Sequence, residues 1–443
     1  MAKKYDLVIV GAGPAGLMTA KTASESGLKI ALLDRKTDIS KIHRTDGGVI
    51  GINEYLFGEV VKFNRTTQTF VFPVNGFSLR YDGHWNDGIY GFHIYSPGGE
   101  RFMIGDWKEL RNDPEKNSKG VCISKGSLLQ GILDDAKANG IHFLPDTNVI
   151  NIKPLENGAV VTGDGEEYEG RFVVAADGVN SRIARLMELN KDRRFVGTWS
   201  NQTWLMKGIN IPEPEGMIFI ITMYGMFSIL PLAKKGHFHV GVSTNKPNVD
   251  LEARVQRFTN EDPVYSLWFK NAKKREEEGE SCVVNIWQAL EKPYKNHVVF
   301  VGDSCWIQEF SNMASLCAGH KLGHTLIKAF HDGQFDDEGL APYFDWYTKY
   351  CFEPHGRREL GGGGTVWDYL TAEEIDYLAA LPTEPAPPTL SFFGLFTTIM
   401  RTYSELIPKI SKERPEILQK LRKMNENSAE DKARIKEAGF PNK

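Results

Sequence analysis

The chain has 443 residues, 41% of them apolar and 25% charged, with a net charge of -4 at neutral pH. That length exceeds one small core and points to two or three domains. A slightly acidic, ordinary globular composition excludes nucleic-acid binding through a basic surface.

The five cysteines, Cys122, Cys282, Cys305, Cys317 and Cys351, are widely spaced and form no CxxC pair. They read as reduced thiols, and no metal site is expected. The start, MAKKYDLVIVGAG, runs into a glycine-rich turn too early for a signal peptide. No apolar run reaches the roughly 18 to 20 residues that span a bilayer. A cytoplasmic chain is expected, with any membrane contact peripheral.

In chain order, YDLVIV is a β-branched buried-strand run, and GAGPAGLMTAKTASESG after it changes to helical spacing. LKIALLD is a second buried strand that ends on Asp34, with Arg35 beside it. Strand, GxGxxG, helix, strand and acid in this order form a dinucleotide fingerprint. Gly11 serves the tight turn, Gly13 admits a pyrophosphate to the backbone, and Gly16 lets the helix pack on the strand, with Pro14 and Ala15 opening that helix. The helix start offers N–H donors to phosphate. Asp34 stands where a carboxylate accepts from an adenosine ribose, and it disfavours a 2′-phosphate. The fingerprint alone does not separate FAD from NAD.

Residues 36–60 read as a polar loop over a cofactor, with Lys41, His43 and Arg44 as a basic cluster; His43 and Arg44 are candidates for a phosphate or an acidic substrate group. Residues 63–104 alternate apolar and polar around Gly-containing turns, as antiparallel strands do. The spacing predicts a helix in 124–140 with Ser124 at its N-cap, then a hairpin around Glu156, Asn157 and Gly158 and a return strand that ends at Asp177 and Gly178. Strands dominate 195–290, and KKREEE at 273–278 reads as a solvated helix end. HVVFVGD is another buried strand, with a helix expected over 316–329. GGGG at 361–364 and the proline-rich 381–390 read as linkers. Beyond them Phe392, Phe396, Ile399, Met400, Tyr403 and Leu406 give one apolar helix face. Packing onto the substrate domain, a homodimer contact and a membrane-surface helix compete for that face.

Three segments, GAGPAG at 11–16, VVAADGVNS at 173–181 and VVFVGDSCWIQEFSNMASLCAG at 298–319, resemble the flavin motifs of the FAD-dependent superfamily that includes aromatic-ring hydroxylases and geranylgeranyl reductases. The resemblance spans about residues 5–350. It implies FAD as cofactor, with Gly302 and Asp303 at the ribityl chain and the backbone of Asn312, Met313 and Ala314 facing the flavin ring. Asp177 and Gly178 match the turn that buttresses the pyrophosphate. Lys125 stands where such proteins offer an arginine to the cofactor, and keeps the charge without the planar fork. The loop after Asp303 carries Gln308, Glu309 and Phe310 and lacks the proline of hydroxylases, which favours the reductase branch. No second GxGxxG follows, so the electron donor is either NAD(P)H bound transiently or a ferredoxin-like carrier.

The expected fold class is α/β: a Rossmann-like FAD-binding domain with an inserted antiparallel-sheet substrate domain and a helical C-terminal tail. FAD-domain segments are expected at 1–60, 121–190 and 296–355, substrate strands at 61–120, the substrate sheet at 191–295, and linker plus tail at 356–443. Catalytic candidates are Cys317, His239 and Tyr224; Phe227, Trp306 and His43 are candidates for a small-molecule or lipid-like substrate. Cys305 and Cys317 also raise a redox-dithiol reading. The favoured reaction is reduction of a carbon–carbon double bond by hydride transfer at flavin N5. NAD(P)H-dependent aromatic hydroxylation and a non-catalytic electron-transfer or sensor protein are the alternatives.

Overall fold

The computed structural model describes residues 1–306, 311–356 and 366–438. Gln308, Glu309 and Phe310, and the GGGG at 361–364, lie outside the described residues.

The first apolar run forms the strand Lys3–Val10, and the glycine-rich turn leads into the helix Pro14–Ser24. A Cβ on Gly16 would stand 2.0 Å from the Gly11 carbonyl oxygen, so only glycine lets this helix seat on its strand. The strand pairs in parallel with Ile30–Leu33 on one side and with Glu166–Ala175 on the other. Val298–Phe300 lies parallel to Glu166–Ala175 as well, and Val149–Leu155, Gly158–Gly163 and Glu166–Ala175 form an antiparallel meander. The result is an eight-stranded sheet whose central parallel strands come from three distant parts of the chain. Their carboxyl ends converge on one edge, where ligands bind in open α/β sheets.

The long helix Asn312–Asp332 packs against Pro14–Ser24. Its small residues have a steric reason: a Cβ on Gly319 would fall 2.3 Å from the Ala15 carbonyl oxygen. Small side chains here let two helices approach closely, and so fix the helix start against the nucleotide turn.

The second sheet has seven strands, in the order Lys273–Trp287, Phe195–Lys207, His237–Thr244, Gly225–Pro231, Met217–Thr222, Phe92–Tyr95 and Arg101–Ile104. One face, with Ile218, Ile220, Phe227, Ile229, Val240 and Val242, is buried against the helix Leu251–Asn260 and the turn Tyr265–Phe269. Because side chains alternate along a strand, Thr203, Leu205, Ser228, Leu230, His239 and Gly241 lie on the opposite face. That face meets the first domain: Thr203 Oγ1 lies 3.3 Å from Thr45 Oγ1, and Thr45 Oγ1 donates to the Glu280 carbonyl at 3.3 Å.

Three expectations need correction. KKREEE lies within the strand Lys273–Trp287, where pairing with Phe195–Lys207 overrides the helical look of its composition. Residues 61–120 divide: Phe63, Phe70, Phe72, Leu79 and Tyr81 join the core of the first domain, and only Phe92–Tyr95 and Arg101–Ile104 extend the second sheet. The proline-rich 381–390 is no free linker. The Ala386 N–H donates to the Met103 carbonyl at 2.9 Å and its carbonyl accepts from Gly105 at 2.7 Å, while the Leu390 N–H reaches Glu54 Oε2 at 2.8 Å. The charged end forms the helix Pro415–Ala438, anchored by fully buried Ile417 and by an ion pair of Lys420 with Glu374.

The tail helix Phe392–Glu413 lays Leu395, Ile399 and Tyr403 on the cluster of Phe92, Phe102 and Phe219. Phe396, Met400 and Ile407 remain exposed on it. No described helix is long and apolar enough to cross a membrane.

Candidate functional site

A groove of about 380 Å³ opens at the carboxyl edge of the first sheet, lined by Gly11, Gly13, Pro14 and Ala15 from the turn, Asp34 and Arg35, Arg44, Lys125, Asp177, Gly178 and Asp303. At its pyrophosphate end the helix Pro14–Ser24 starts at Gly13 with no side-chain cap, so its first N–H groups face the groove. A Cβ on Gly13 or on Gly178 would meet no protein atom within 4 Å, which leaves the backbone open to a ligand at both places. Asp34 is held by backbone donors, from Ala12 to Oδ2 at 2.7 Å and from Lys36 to Oδ1 at 2.8 Å. Asp177 accepts from Ser181 Oγ at 2.6 Å and from the Ile183 N–H at 3.1 Å; burial pushes its carboxyl up, against these hydrogen bonds.

Toward the second sheet, Arg44 Nη1 stands 4.0 Å from Asp303 Oδ2. Asp46 is paired with Lys125, accepts from the Gly48 N–H at 2.8 Å, and is reached by Asn312 Nδ2 at 3.4 Å. Burial pushes the Asp46 carboxyl up, but Lys125 and these hydrogen bonds outweigh it and hold it down at about 2. Ser311 caps the Asn312–Asp332 helix by accepting from the Ala314 N–H at 3.2 Å. Buried Asn312 and Met313 open this helix where it meets the loop that holds Asp46.

The substrate-sheet side presents His239, which is 5% exposed. Its Nε2 lies 3.6 Å from Glu280 Oε2, and its Nδ1 is buried without a hydrogen-bond partner among the described residues. Burial drives this imidazole down to about 4, with Asp46 opposing, so the ring is neutral at pH 7.

The comparisons agree with this geometry. A family model described as an NAD(P)-binding Rossmann-like domain matches residues 9–51. A digeranylgeranylglycerophospholipid reductase of Methanocella arvoryzae is 29% identical over 77% of this chain and 82% of its own length. A geranylgeranyl bacteriochlorophyll reductase-like protein from Thermoplasma acidophilum superposes over 96% of this chain and 100% of its own, at a TM-score of 0.68 and 16% identity. The chain is an FAD-dependent oxidoreductase, similar in sequence to the digeranylgeranylglycerophospholipid reductases and in fold to the geranylgeranyl reductase-like protein. A halogenase PltM variant in complex with FAD shares the fold at a TM-score of 0.58 and 13% identity, over 77% of this chain and 73% of its own.

In this flavoprotein the groove residues fit an extended FAD: the uncapped helix start suits its pyrophosphate, and Asp34 the adenosine end. Gly302 and Asp303 form a short turn after Val298–Phe300, with Gly302 at φ +69° and its Cβ position 2.9 Å from the Ala15 Cβ.

Several substrate-side expectations do not survive. Phe227 is fully buried and stacks on Phe258 at 4.1 Å, so it lies on the helix-covered face of the sheet. Tyr224 donates to Asp262 Oδ2 at 2.6 Å under the Arg257 guanidinium, also away from the groove. Trp306 is core, packed edge-on against Phe57 and Tyr347. His43 is exposed outside the groove lining. Cys305 and Cys317 are both free and fully buried; burial pushes the Cys305 thiol up to about 12 and the Cys317 thiol well above its ordinary value. Neither is set up as a thiolate or an acid, and the dithiol reading fails with them.

Sequence reasoning missed Asp46 and Glu280, and also Arg182 and Ser315, which line the groove. The signal for Asp46 was the Asp-Gly-Gly turn just after the basic cluster. Glu280 lies just past the charged run at 273–278 that looked helical.

Proposed function

We propose that this flavoprotein reduces a carbon–carbon double bond in a polyprenyl lipid. One observation carries the reading: a single buried histidine, His239, stands on the sheet face that meets the FAD domain, with apolar Leu205 and Leu230 as its register partners on the neighbouring strands. Such a face admits hydrocarbon and offers it one proton-handling group. The name of the 29% identical relative, a digeranylgeranylglycerophospholipid reductase, supports the same substrate class.

FAD, when bound, supplies the hydride, from N5. The chain's residues have the remaining work. Leu205 and Leu230 bind and dry the alkene, which keeps water from the reacting carbons. His239 delivers a proton to the second carbon. As a neutral imidazole it gives up the proton on one nitrogen and takes another on the opposite one, with Glu280 3.6 Å behind it as the relay partner. The paired Asp46 and Lys125 keep the loop between cofactor and sheet closed. The electron donor is either NAD(P)H or a ferredoxin-like carrier.

The test is anaerobic. FAD-loaded protein is reduced with dithionite and mixed with a geranylgeranyl lipid, and the flavin spectrum and lipid mass are followed. Flavin reoxidation with a gain of two hydrogens per double bond is the expected result. Reoxidation only on admitting air, with an oxygen-containing product, would establish hydroxylation instead.

A further inference from the structure

Arg193 stands just before the strand Phe195–Lys207, where the chain enters the second sheet. It is 8% exposed, and all three of its nitrogens donate: Nε to the Gln288 carbonyl at 2.6 Å, Nη1 to Asn190 Oδ1 at 3.1 Å and Nη2 to the Trp306 carbonyl at 2.9 Å. Every acceptor is neutral. Among the described residues, the groups whose charge bears on this guanidinium are Cys305 and Tyr347 rather than a carboxylate, and burial holds both protonated. Burial also lowers the guanidinium itself, but only to about 10, so it is charged at pH 7. Taking an ion out of water is costly, and glutamine or methionine would fill the place without that cost. A charge kept there calls for a partner that the described residues do not supply.

The place of the charge points to that partner. The Trp306 N–H donates to the Asp303 carbonyl at 3.3 Å, so the guanidinium grips one end of the turn whose other end lines the cofactor groove. The Cys305 carbonyl is held too, by the Leu290 N–H at 2.9 Å and the Tyr347 hydroxyl at 3.1 Å. Asp303, the one carboxylate in this turn, stands 4.0 Å from Arg44, and the two charges offset each other. The charge left over behind the groove is that of Arg193. Asn312, six residues after Trp306, opens a long helix whose positive end adds the same sign.

We infer that Arg193 is the buried counter-charge of the reduced cofactor, and that it sets how strongly the protein prefers FAD in the reduced form. Two electrons and one proton, taken up from a reductant such as a reduced nicotinamide or an iron–sulfur carrier, leave flavin one charge more negative than before. A fixed cation behind the groove lowers the cost of that charge while touching neither substrate nor the reacting atoms. A unit charge about 10 Å away, at an effective dielectric of about 20, shifts such an equilibrium roughly tenfold. The effect is the same whichever substrate accepts the hydride, so it stands apart from the choice of a polyprenyl lipid.

The experiment measures a potential and needs no turnover. FAD-loaded wild type, Arg193→Lys, Arg193→Gln and Arg193→Met are freed of unbound flavin and titrated anaerobically with dithionite against a reference dye. The midpoint potential of the bound flavin should fall in the Gln and Met variants by about 30 mV, which is tenfold for a two-electron couple. Arg193→Lys keeps the charge and loses the planar fork, and should stay within about a third of that shift. A clamp that merely held the Trp306 carbonyl would make Lys and Gln alike, since neither restores the fork. Unchanged potentials in the two uncharged variants would overturn the proposal, as would an Arg193→Lys protein that shifts as far as Arg193→Gln or loses its flavin. Failure of both uncharged variants to fold or to hold FAD would overturn it too, by making the charge a requirement of the fold. Failure to reduce any alkene would sink the reductase reading and leave these potentials unchanged, so the two failures are told apart.

Discussion

His93 gives a sharp test of how burial controls this protein's acid stability. The residue is fully buried beside Gly91 and Gly216, and neither ring nitrogen has a hydrogen-bond partner among the described residues. Burial, helped by Arg101 and opposed by Asp106, drives its imidazole down to about 4. The sign follows from linkage: the unfolded chain takes up the proton near pH 6.5 and the folded chain does not, so stability falls as pH drops from about 6.5 towards 4. At pH 5 the unfolded imidazole is almost fully charged and the folded one almost neutral, a difference of about 2 kcal/mol; at pH 7 it is about 0.2 kcal/mol. His93→Leu keeps a similar volume and removes both the titration and two unsatisfied nitrogens. The variant should match or exceed wild type by about 1 kcal/mol at pH 7. Its advantage should widen by about 2 kcal/mol at pH 5, because His239 and His320, also driven down to about 4, are common to both proteins. Urea unfolding of the FAD-loaded proteins at both pH values, followed by tryptophan fluorescence, measures this. Parallel stability curves for the two proteins would refute the reasoning.

Gly11→Ala should yield protein without bound flavin, read by visible absorbance after purification, since the new Cβ would stand 2.3 Å from the Ala176 carbonyl oxygen at a φ of +108°. Phe227→Ala should cost about 3–5 kcal/mol of stability, as for other buried aromatics, yet leave flavin content intact, because the ring packs on Phe258 and not in the groove. A thiol reagent such as DTNB should react quickly with one cysteine in the native protein, Cys282, and with the other four only after unfolding, because those four are buried; rapid reaction of Cys305 or Cys317 would contradict the packing described.

The nucleotide half of the molecule was legible because its chemistry is local. Strand, glycine turn, helix and acid lie within 34 consecutive residues, and Gly11 and Gly16 each answer to a contact the backbone itself makes. The substrate half was legible only as a sheet. Which face of it meets the first domain depends on what packs on the other, and that is settled by Phe258 and Tyr265, residues from a helix and turn well downstream of Phe227. Aromatic content drew attention to Tyr224, Phe227 and Trp306, but large apolar rings are core residues first. His239 was placed correctly on the sheet, while its partner Glu280 sat just past a run whose charge pattern mimics a helix and whose strand state is imposed by pairing with eleven residues of Phe195–Lys207.

The way the first sheet is assembled has a consequence for how the protein is made. Its central strand, Glu166–Ala175, joins Lys3–Val10 to Val298–Phe300. A ribosome that adds about 5–20 residues per second therefore exposes the glycine turn roughly 15–60 seconds before Val298–Phe300 is synthesised. During that interval the nascent chain holds a nucleotide turn without the Asp303 side of its groove, and carries the edge of an unfinished parallel sheet. The groove between Gly11 and Asp303 is thus complete only late in the birth of this chain, and a ligand that binds the closed groove stabilises the finished sheet by mass action.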